Sequence, residues 1–292
     1  DTLRGTQEGV PNLVRLFLEE KVQATFLFSL GPDHTGRAIK RIFRPGFMKK
    51  VSRTSVIEYY GIRTLLYGTL LPGPNIGQRC RNVLQMVQYN GFETGIHTYD
   101  HILWQDYVQK RNYSWTKKQM QKAIHAYENI FGQPAKTFGA AGWQMNEDAF
   151  RLEETLNFDY CSDSRGYSPF LPIINGQTLH CPQLPTTLPT LDELLGSGGI
   201  TTDNIADHLL NLTAQHPLHG HVYTLHAELE GMKLLPVMKK LIRGWKSQGY
   251  HLCSLQDLFS SLDISSLPQC PILTSEISGR SGTLCVQALP TS

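Results

Sequence analysis

Residues 95–101 read Gly-Ile-His-Thr-Tyr-Asp-His, and this stretch decides how the rest of the chain is interpreted. On one helical turn, two histidines four residues apart, here His97 and His101, project from the same side, so their ring nitrogens can meet at one metal ion. An amphipathic surface is the alternative, because the chain has eleven histidines and the spacing also arises by chance. A zinc protease of the usual type is not favoured, because it needs glutamate where this chain has Thr98.

Apolar residues on both sides of this motif alternate between helical and extended spacing. Phe92 and Ile96 end a short strand, so the histidines stand where α/β proteins expose their chemistry. The alternation predicts an α/β protein with a mostly parallel sheet, closed or nearly closed into a barrel. Few residues precede the first helix, which predicts a chain that begins just after its first strand. Helices are predicted at about 11–20, 79–88, 116–130, 146–156, 203–214, 234–247 and 255–262, and strands at 23–29, before His97, and at 136–138, 158–161, 221–225 and 250–253.

The composition is that of a globular protein. The chain has 292 residues, 40% of them hydrophobic, which is enough for one large barrel with its own core. No apolar run approaches the roughly twenty residues that cross a bilayer, and the polar start has no signal-peptide character. Six cysteines without Cys-x-x-Cys spacing predict reduced thiols in a cytoplasmic compartment.

A long connection at about 31–78 interrupts the alternation and predicts a functional insertion. Its residues 37–56 hold seven lysines and arginines and no acidic residue, interleaved with aliphatic and aromatic side chains. This pattern favours an amphipathic element, spanning about 37–71, on an anionic membrane surface. A solvated helix packed on the barrel fits the spacing equally well, and no motif supports a nucleic-acid partner.

The chemistry of a hydrolytic metal site needs a third ligand and a group that moves protons. Asp1 is the candidate ligand, because it stands where the first strand would end. His226 closes the predicted strand at 221–225 and is the candidate for proton transfer, with a histidine packed in the core as the alternative.

Several motifs in this order resemble the NodB-like polysaccharide deacetylases, and most closely the branch that deformylates formamido-arabinose on a lipid carrier. The resemblance covers nearly the whole chain, including the basic insertion. It is carried by His97-Thr98-x-x-His101, Leu225-His226, Gly9-Val10-Pro11, Ser29-Leu30-Gly31-Pro32-Asp33, Ala140-Ala141-Gly142-Trp143, Ser162-Asp163-x-Arg165-Gly166, Leu184-Pro185-x-Thr187-Leu188-Pro189-Thr190 and Tyr223-Thr224-Leu225-His226-Ala227-Glu228.

The resemblance implies a distorted (β/α)7-type barrel and a metal-dependent hydrolase. Its substrate would be undecaprenyl-phosphate-linked 4-deoxy-4-formamido-L-arabinose, deformylated at the cytoplasmic face of the bacterial inner membrane, where the enzyme would bind peripherally. The implied role is in lipid A modification and resistance to cationic peptides such as polymyxin. Zinc, cobalt, manganese and nickel all remain open as the divalent ion. The implied residues are Asp1, His97 and His101 as metal ligands, His226 as the acid for the departing amine, and the backbone around Ala141, Gly142 and Trp143 as the oxyanion site.

The chain departs from the family pattern at two places. The catalytic base of the family precedes the aspartate ligand, so it is expected upstream of Asp1. Asp100 is a conceivable substitute, but we expect it to orient a ligand histidine. The family's Arg-Pro-Pro-type motif is replaced at 139–143, and Arg165 is the candidate for the missing charge, with a surface salt bridge as its alternative.

Three other functions remain open. They are an N-deacetylase of the same family acting on another sugar, a non-haem iron oxygenase with two histidines and a carboxylate, and a lipid-sugar binding protein with weakened catalysis. The strand-helix alternation disfavours the oxygenase. For domain organisation, residues 1–262 are predicted to form the barrel, and residues 263–292 an irregular surface tail rich in proline and glycine.

Overall fold

The computed structural model describes residues 1–38, 61–280 and 282–290. Four parallel strands form its central sheet in chain order: β1 (Thr25–Phe28), β2 (Glu93–Ile96), β3 (Thr137–Phe138) and β4 (Tyr160–Cys161). In this sheet Phe28 is in register with Ile96, Ile96 with Phe138, and Phe138 with Cys161. Because the last residues of all four strands are aligned, the residues that follow them lie along one edge of the sheet.

The helices pack around this sheet, as the alternation predicts. Helix α1 (Val10–Glu20) buries Leu13, Val14 and Phe17 on its apolar face. The longest described helix, α6 (Tyr113–Phe131), is capped by Asn112 at its start and by Gly132 at its end, where a φ of +70° suits glycine. The described helices are α1 (Val10–Glu20), α2 (Ile62–Leu66), α3 (Ile76–Arg79), α4 (Arg81–Tyr89), α5 (His101–Tyr107), α6 (Tyr113–Phe131), α7 (Glu147–Thr155), α8 (Leu191–Leu194), α9 (Ile205–Leu212), α10 (Leu235–Ser247) and α11 (Leu255–Ser260).

Extended segments continue the sheet on both sides without forming regular strands. On one side the Gln23 N–H donates to the Leu252 carbonyl, and on the other the Leu184 N–H donates to the Cys161 carbonyl. The strand predicted at 250–253 therefore lies beside β1 but has no regular ladder. The strand predicted at 221–225 also lacks one, because the Val222 N–H donates to the Thr187 hydroxyl instead of to a backbone carbonyl.

The end of the chain is a second sheet and not the irregular tail that its prolines and glycines predict. Strands β5 (Leu171–Ile174), β6 (Gln177–Thr178), β7 (Gln269–Glu276) and β8 (Thr283–Gln287) lie in the order β6-β5-β7-β8. Strands β7 and β8 form an antiparallel pair, here called the C-terminal hairpin. The Pro271 carbonyl accepts from the Ala288 N–H, and Leu284 and Cys285 of β8 are buried.

The basic part of the predicted insertion falls at 39–60, outside the described residues. Its described flanks include α2 and the exposed apolar side chains of Ile62 and Leu70, which are 66% and 82% exposed. Among the described helices, none combines the length and apolar character needed to cross a bilayer.

Candidate metal centre and catalytic cavity

His97 and His101 converge, but not on one helical turn as the spacing predicts. His97 follows the last residue of β2, and His101 is the first residue of α5. The chain turns between them at Thr98, whose φ of +64° is rare for a β-branched residue. The two ring centroids are 5.1 Å apart. A strand end, a strained turn and a helix start therefore place both imidazoles on one side.

The carboxylate of Asp1 meets both rings. Asp1 Oδ1 lies 3.3 Å from His97 Nε2, and Asp1 Oδ2 lies 3.3 Å from His101 Nε2. One ligand atom from each of the three residues lies within 4.8 Å of the others. The structure thus brings together the three residues predicted to bind a metal.

Two buried carboxylates, which the sequence reading missed, fix the backbone after Asp1. The Thr2 N–H and hydroxyl both donate to Glu228 Oε1 at 2.7 Å, and the Leu3 N–H donates to Asp33 Oδ2 at 2.8 Å. Gly5 packs so closely on Glu228 that an added Cβ would lie 2.3 Å from Oε1. These contacts join three distant parts of the chain, so no local pattern predicts them.

The donor set fits a divalent cation. His97 Nδ1 lies 2.6 Å from the Gly139 carbonyl, which can only accept, so Nδ1 carries the hydrogen and Nε2 keeps its lone pair toward Asp1. Burial lowers the pKa of His97, which keeps the ring neutral as a metal ligand must be. Two imidazole nitrogens and a carboxylate suit zinc, cobalt, manganese or nickel.

Asp100 acts on the helix that carries His101. Its Oδ1 accepts from the Leu103 N–H at 3.0 Å as the N-cap of α5, and its Oδ2 lies 2.6 Å from His34 Nδ1. The prediction that Asp100 orients a ligand histidine therefore takes an indirect form, in which the carboxylate fixes the helix start.

His226 lies in the same cavity as the three candidate ligands. Its backbone N–H donates to Glu230 Oε2 at 2.9 Å, and its Nδ1 lies 3.7 Å from Asp192 Oδ1. Burial alone would raise the pKa of the Asp192 carboxyl. The charges of His226 and Arg280 outweigh it, so this pKa is lowered. The Asp192 carboxylate therefore carries a negative charge beside the His226 ring at neutral pH.

The turn after β3 supplies fewer oxyanion donors than predicted. The Ala140 N–H donates to Asp163 Oδ1, and the Trp143 N–H donates to the Ala140 carbonyl. The amides of Ala141 and Gly142 therefore remain as the candidates. Gly142 and Trp143 have φ values of +61° and +53°, and the Trp143 indole N–H donates to the Thr186 hydroxyl.

Arg165 has the salt-bridge role and does not line the cavity. Its Nη1 lies 2.6 and 2.9 Å from the two carboxylate oxygens of Glu193, and its Nε and Nη2 donate to the carbonyls of Thr186 and Leu188. The prediction that it binds the substrate or an oxyanion is not supported by this placement. Arg280 of the C-terminal hairpin lines the cavity instead. The sequence reading missed it because proline and glycine around it suggested an irregular tail.

Asp192 and Glu193 were also missed, although one local signal was present. Residues 190–193 read Thr-Leu-Asp-Glu, the pattern of a capping box, and Thr190 and Glu193 form that box at the start of α8. This pattern predicts the helix start but not its position beside His226.

A second group of metal-type side chains lies behind β4. Glu153, Cys161 and Cys181 are buried, and one ligand atom from each lies within 4.8 Å of the others. Burial raises the pKa of both Glu153 and Cys161 well above the usual values, so these groups keep their protons. Cys181 Sγ lies 3.7 Å from Cys161 Sγ, and Gln183 Nε2 donates to Glu153 Oε2 at 2.9 Å, so hydrogen bonds tie this cluster into the core.

A cavity of about 1050 Å³ connects the candidate metal centre with the groups around His226. Its lining also includes Thr35, Ala38 and Leu65, which lie on either side of the undescribed segment 39–60 in the sequence. Around the centre it is lined by Asp1, His97, His101, Gly142, Trp143, Asp192, His226 and Arg280.

Comparisons with known proteins find relatives that cover nearly the whole chain. The model of a family described as "Polysaccharide deacetylase" matches residues 4–161. A Shewanella sediminis (strain HAW-EB3) protein named "Probable 4-deoxy-4-formamido-L-arabinose-phosphoundecaprenol deformylase ArnD" is 35% identical over 288 residues, covering 99% of this chain and 92% of that protein. A Wigglesworthia glossinidia brevipalpis protein of the same name is 33% identical over 284 residues, covering 97% and 98%. A crystal structure named "probable Polysaccharide deacetylase from Pseudomonas aeruginosa PAO1" has a TM-score of 0.54 at 18% identity, covering 88% of this chain and 73% of that one.

Proposed function

Because this chain belongs to the polysaccharide deacetylase family, we propose that it is a metal-dependent amide hydrolase that deformylates 4-deoxy-4-formamido-L-arabinose linked to undecaprenyl phosphate. The observation that carries the proposal is the meeting of Asp1, His97, His101 and His226 in one cavity. The names of the two relatives, which cover nearly the whole chain, support the substrate. The products would be formate and the 4-amino sugar lipid, an intermediate suited to lipid A modification and cationic peptide resistance.

Asp1, His97 and His101 would hold the cation in this mechanism. When bound, a divalent ion lowers the pKa of water toward ~7 and polarises a carbonyl oxygen. The amides of Ala141 and Gly142 would donate to the oxygen of the formyl group as it gains charge. The proton acceptor for the attacking water is expected upstream of Asp1.

His226 would deliver the proton that the sugar amine needs in order to depart. Asp192 Oδ1 stands 3.7 Å from its Nδ1, and Glu230 Oε2 accepts a hydrogen bond from its backbone N–H. The amine is a poor leaving group when unprotonated, so a positioned acid contributes about 10² to 10⁴ in rate.

A lipid-linked substrate requires contact with a membrane, and we propose that residues 37–71 provide it at the cytoplasmic face of the inner membrane. Ala38 and Leu65, which come before and after the basic segment in the sequence, both line the cavity. Ile62 and Leu70 add exposed apolar side chains next to it. Cations near apolar side chains are the features that bind anionic lipid surfaces.

The decisive experiment is mass spectrometry of the acid released from matched formamido and acetamido sugar lipids. We expect formate from the first substrate and little acetate from the second. Acetate as the main product would replace the proposal with an N-deacetylase of the same family.

A metal analysis by inductively coupled plasma mass spectrometry tests the ligand set separately. His97→Ala and His101→Ala should each lose the bound ion and the activity, whereas His125→Ala on the exposed face of α6 should keep both. Full metal content in the first two variants would remove the assigned centre.

A further inference from the structure

The C-terminal hairpin brings one arginine into the catalytic cavity. Arg280 follows Gly279, which has a φ of +90° and packs against the backbone of Glu193. A Cβ added to Gly279 would lie 2.5 Å from the Glu193 carbonyl oxygen. The hairpin is therefore seated directly on α8, and this seating fixes where the next side chain points.

The Arg280 guanidinium lies between an aromatic ring and two carboxylates. Its centre is 4.4 Å from the Trp143 ring centroid, its Nε is 2.6 Å from Glu193 Oε1, and its Nη2 is 3.5 Å from Asp192 Oδ2. Stacking on an aromatic face and a fork of N–H donors are the features that suit arginine, and not lysine, to a planar or anionic ligand.

Arg165 shows by contrast that Arg280 is not needed to neutralise Glu193. Arg165 contacts both oxygens of that carboxylate, commits its other nitrogens to backbone carbonyls, and also contacts the Trp143 ring at 4.9 Å. Asp192 in turn lies beside His226. Glu193 is thus paired with Arg165, and the other carboxylate beside Arg280, that of Asp192, is partly exposed and is shared with His226.

Among the described residues that line the cavity, Arg280 is the one lysine or arginine. An anion that leaves water for such a cavity must be paired, because an isolated buried charge is costly. Arginine binds phosphate oxygens with two parallel hydrogen bonds, which are about twice as strong as neutral ones.

We propose that Arg280 binds the phosphodiester of the substrate, so that the C-terminal hairpin supplies the specificity for a phosphate-linked sugar. This inference rests on the proposed deformylase function for its substrate. It assigns to the hairpin a role in recognition, separate from the metal centre and from proton transfer.

A kinetic comparison of two substrates tests the assignment. The substrates are the formamido sugar joined by a phosphodiester to a short isoprenyl chain, and the uncharged methyl glycoside of the same sugar. Arg280→Gln should raise KM for the phosphodiester by about tenfold or more and leave both constants for the glycoside nearly unchanged. Arg280→Lys should recover part of the loss, and Arg243→Gln, on the exposed side of α10, should behave as the wild type.

An equal loss of kcat on both substrates would overturn the proposal, because it would mean that Arg280 acts through Asp192 and His226. A binding titration separates this result from failure of the proposed function. Even if the wild type released no formate, farnesyl phosphate should bind about tenfold more weakly to Arg280→Gln than to the wild type, while farnesol should not distinguish them. Equal binding of farnesyl phosphate by both proteins would refute the assignment.

Discussion

Two residues beside the site adopt backbone conformations that their side chains disfavour. Thr98 and Trp143 have φ values of +64° and +53°, and each stands just past the end of a central strand. Such conformations cost on the order of 1–3 kcal/mol and persist where surrounding contacts fix them. Here they turn the chain sharply after β2 and after β3, which brings His101 back toward His97 and folds the 140–143 turn over the cavity.

His226 gives the most direct residue-level prediction. His226→Gln should lower kcat for formate release by about 10² to 10⁴, because the amine then departs without a positioned acid. Metal content should not change, since the proposed ligands are Asp1, His97 and His101. Parallel loss of metal and activity would show that His226 supports the metal centre, and unchanged activity would exclude it as the acid.

Glu230 predicts a pH dependence of stability. Burial raises its pKa from 4.5 to about 7. Between these two pH values, the folded protein keeps a proton on Glu230 that the unfolded chain releases. Its contribution to stability is therefore full below about pH 4.5 and is lost as the pH rises to about 7, by up to about 3 kcal/mol. Glu230→Gln should remove this part of the pH profile, as measured by urea unfolding at several pH values.

The exposed Glu8→Gln variant is the matched control for Glu230→Gln and should keep the wild-type profile. The amide retains an acceptor for the His226 N–H, and the Tyr223 hydroxyl can reverse its hydrogen bond. Identical pH profiles for the wild type and Glu230→Gln would contradict the assignment of this titration.

For single residues, the sequence could identify side chains whose chemistry is typical of a catalytic site. The two histidines of the motif, Asp1 and His226 are such residues, and the structure places all four in one cavity. Arg165 and Arg280 are of the same type and both contact Glu193, but Arg280 lines the cavity and Arg165 does not. Their contacts with Glu193 span 28 residues of chain for Arg165 and 87 for Arg280, and local patterns do not encode contacts over such separations.

Helix α5 links a capping residue to a proposed metal ligand, because Asp100 precedes His101 and caps the helix. Asp100→Ala should lower stability by about 0.5–2 kcal/mol and also weaken metal binding, since the helix start would loosen. Asp100→Asn keeps a good cap and removes only the charge beside His34, so it should preserve most of both properties. A chelator competition assay with thermal unfolding measures the two effects.

Equal metal affinity in Asp100→Ala and the wild type would contradict the link between the cap and the ligand. Weak binding in both variants would instead point to the charge of Asp100 and its pairing with His34.

The C-terminal hairpin offers two glycines that differ only in their surroundings. Gly279 and Gly282 both have φ near +85°, but a Cβ on Gly279 meets the Glu193 backbone, whereas a Cβ on Gly282 meets no described atom within 4 Å. Gly282→Ala should cost about 1 kcal/mol for strain alone. Gly279→Ala should cost clearly more and should also raise KM, because the hairpin lifts from α8.

Unfolding in denaturant and steady-state kinetics on the phosphodiester substrate measure this difference. Equal losses in stability and equal KM values for the two variants would mean that the close contact of Gly279 contributes neither to stability nor to substrate binding.

Helices and strands whose own residues show a clear apolar periodicity were predictable from the sequence. Those that depend on hydrogen bonds to residues far away in the chain were not. The helix at 11–20 and the strand at 23–29 carry apolar periodicity and agree with α1 and β1. The segment at 221–225 has the composition of a strand, yet the Val222 N–H donates to the Thr187 hydroxyl and not to a backbone carbonyl. The hairpin after residue 268 pairs with β5, nearly a hundred residues earlier, and its prolines hid it.

In the whole molecule, one edge of the central sheet and side chains of the insertion and the C-terminal hairpin together form the cavity. The parallel sheet aligns the ends of β1 to β4, which a repeating strand-helix pattern predicts well. The cavity wall comes from segments far apart in the chain, such as Ala38, Leu65 and Arg280. Its volume and its charge therefore follow from tertiary packing and not from any one motif.

The last prediction concerns the basic insertion and the bilayer. Replacing Lys49, Lys50 and Arg53 by glutamine should weaken cosedimentation with vesicles that contain anionic phospholipid, because each cation near the surface contributes about 1 kcal/mol. Replacing Lys110, Lys117 and Lys118 removes the same number of charges around the start of α6 and should leave binding unchanged. Vesicles of neutral lipid should bind all three proteins weakly and equally. The membrane role of residues 37–71 would be refuted if the insertion variant cosedimented as well as the wild type, or if both variants lost binding equally. Another surface of the protein would then have to bind the membrane that carries the lipid-linked sugar.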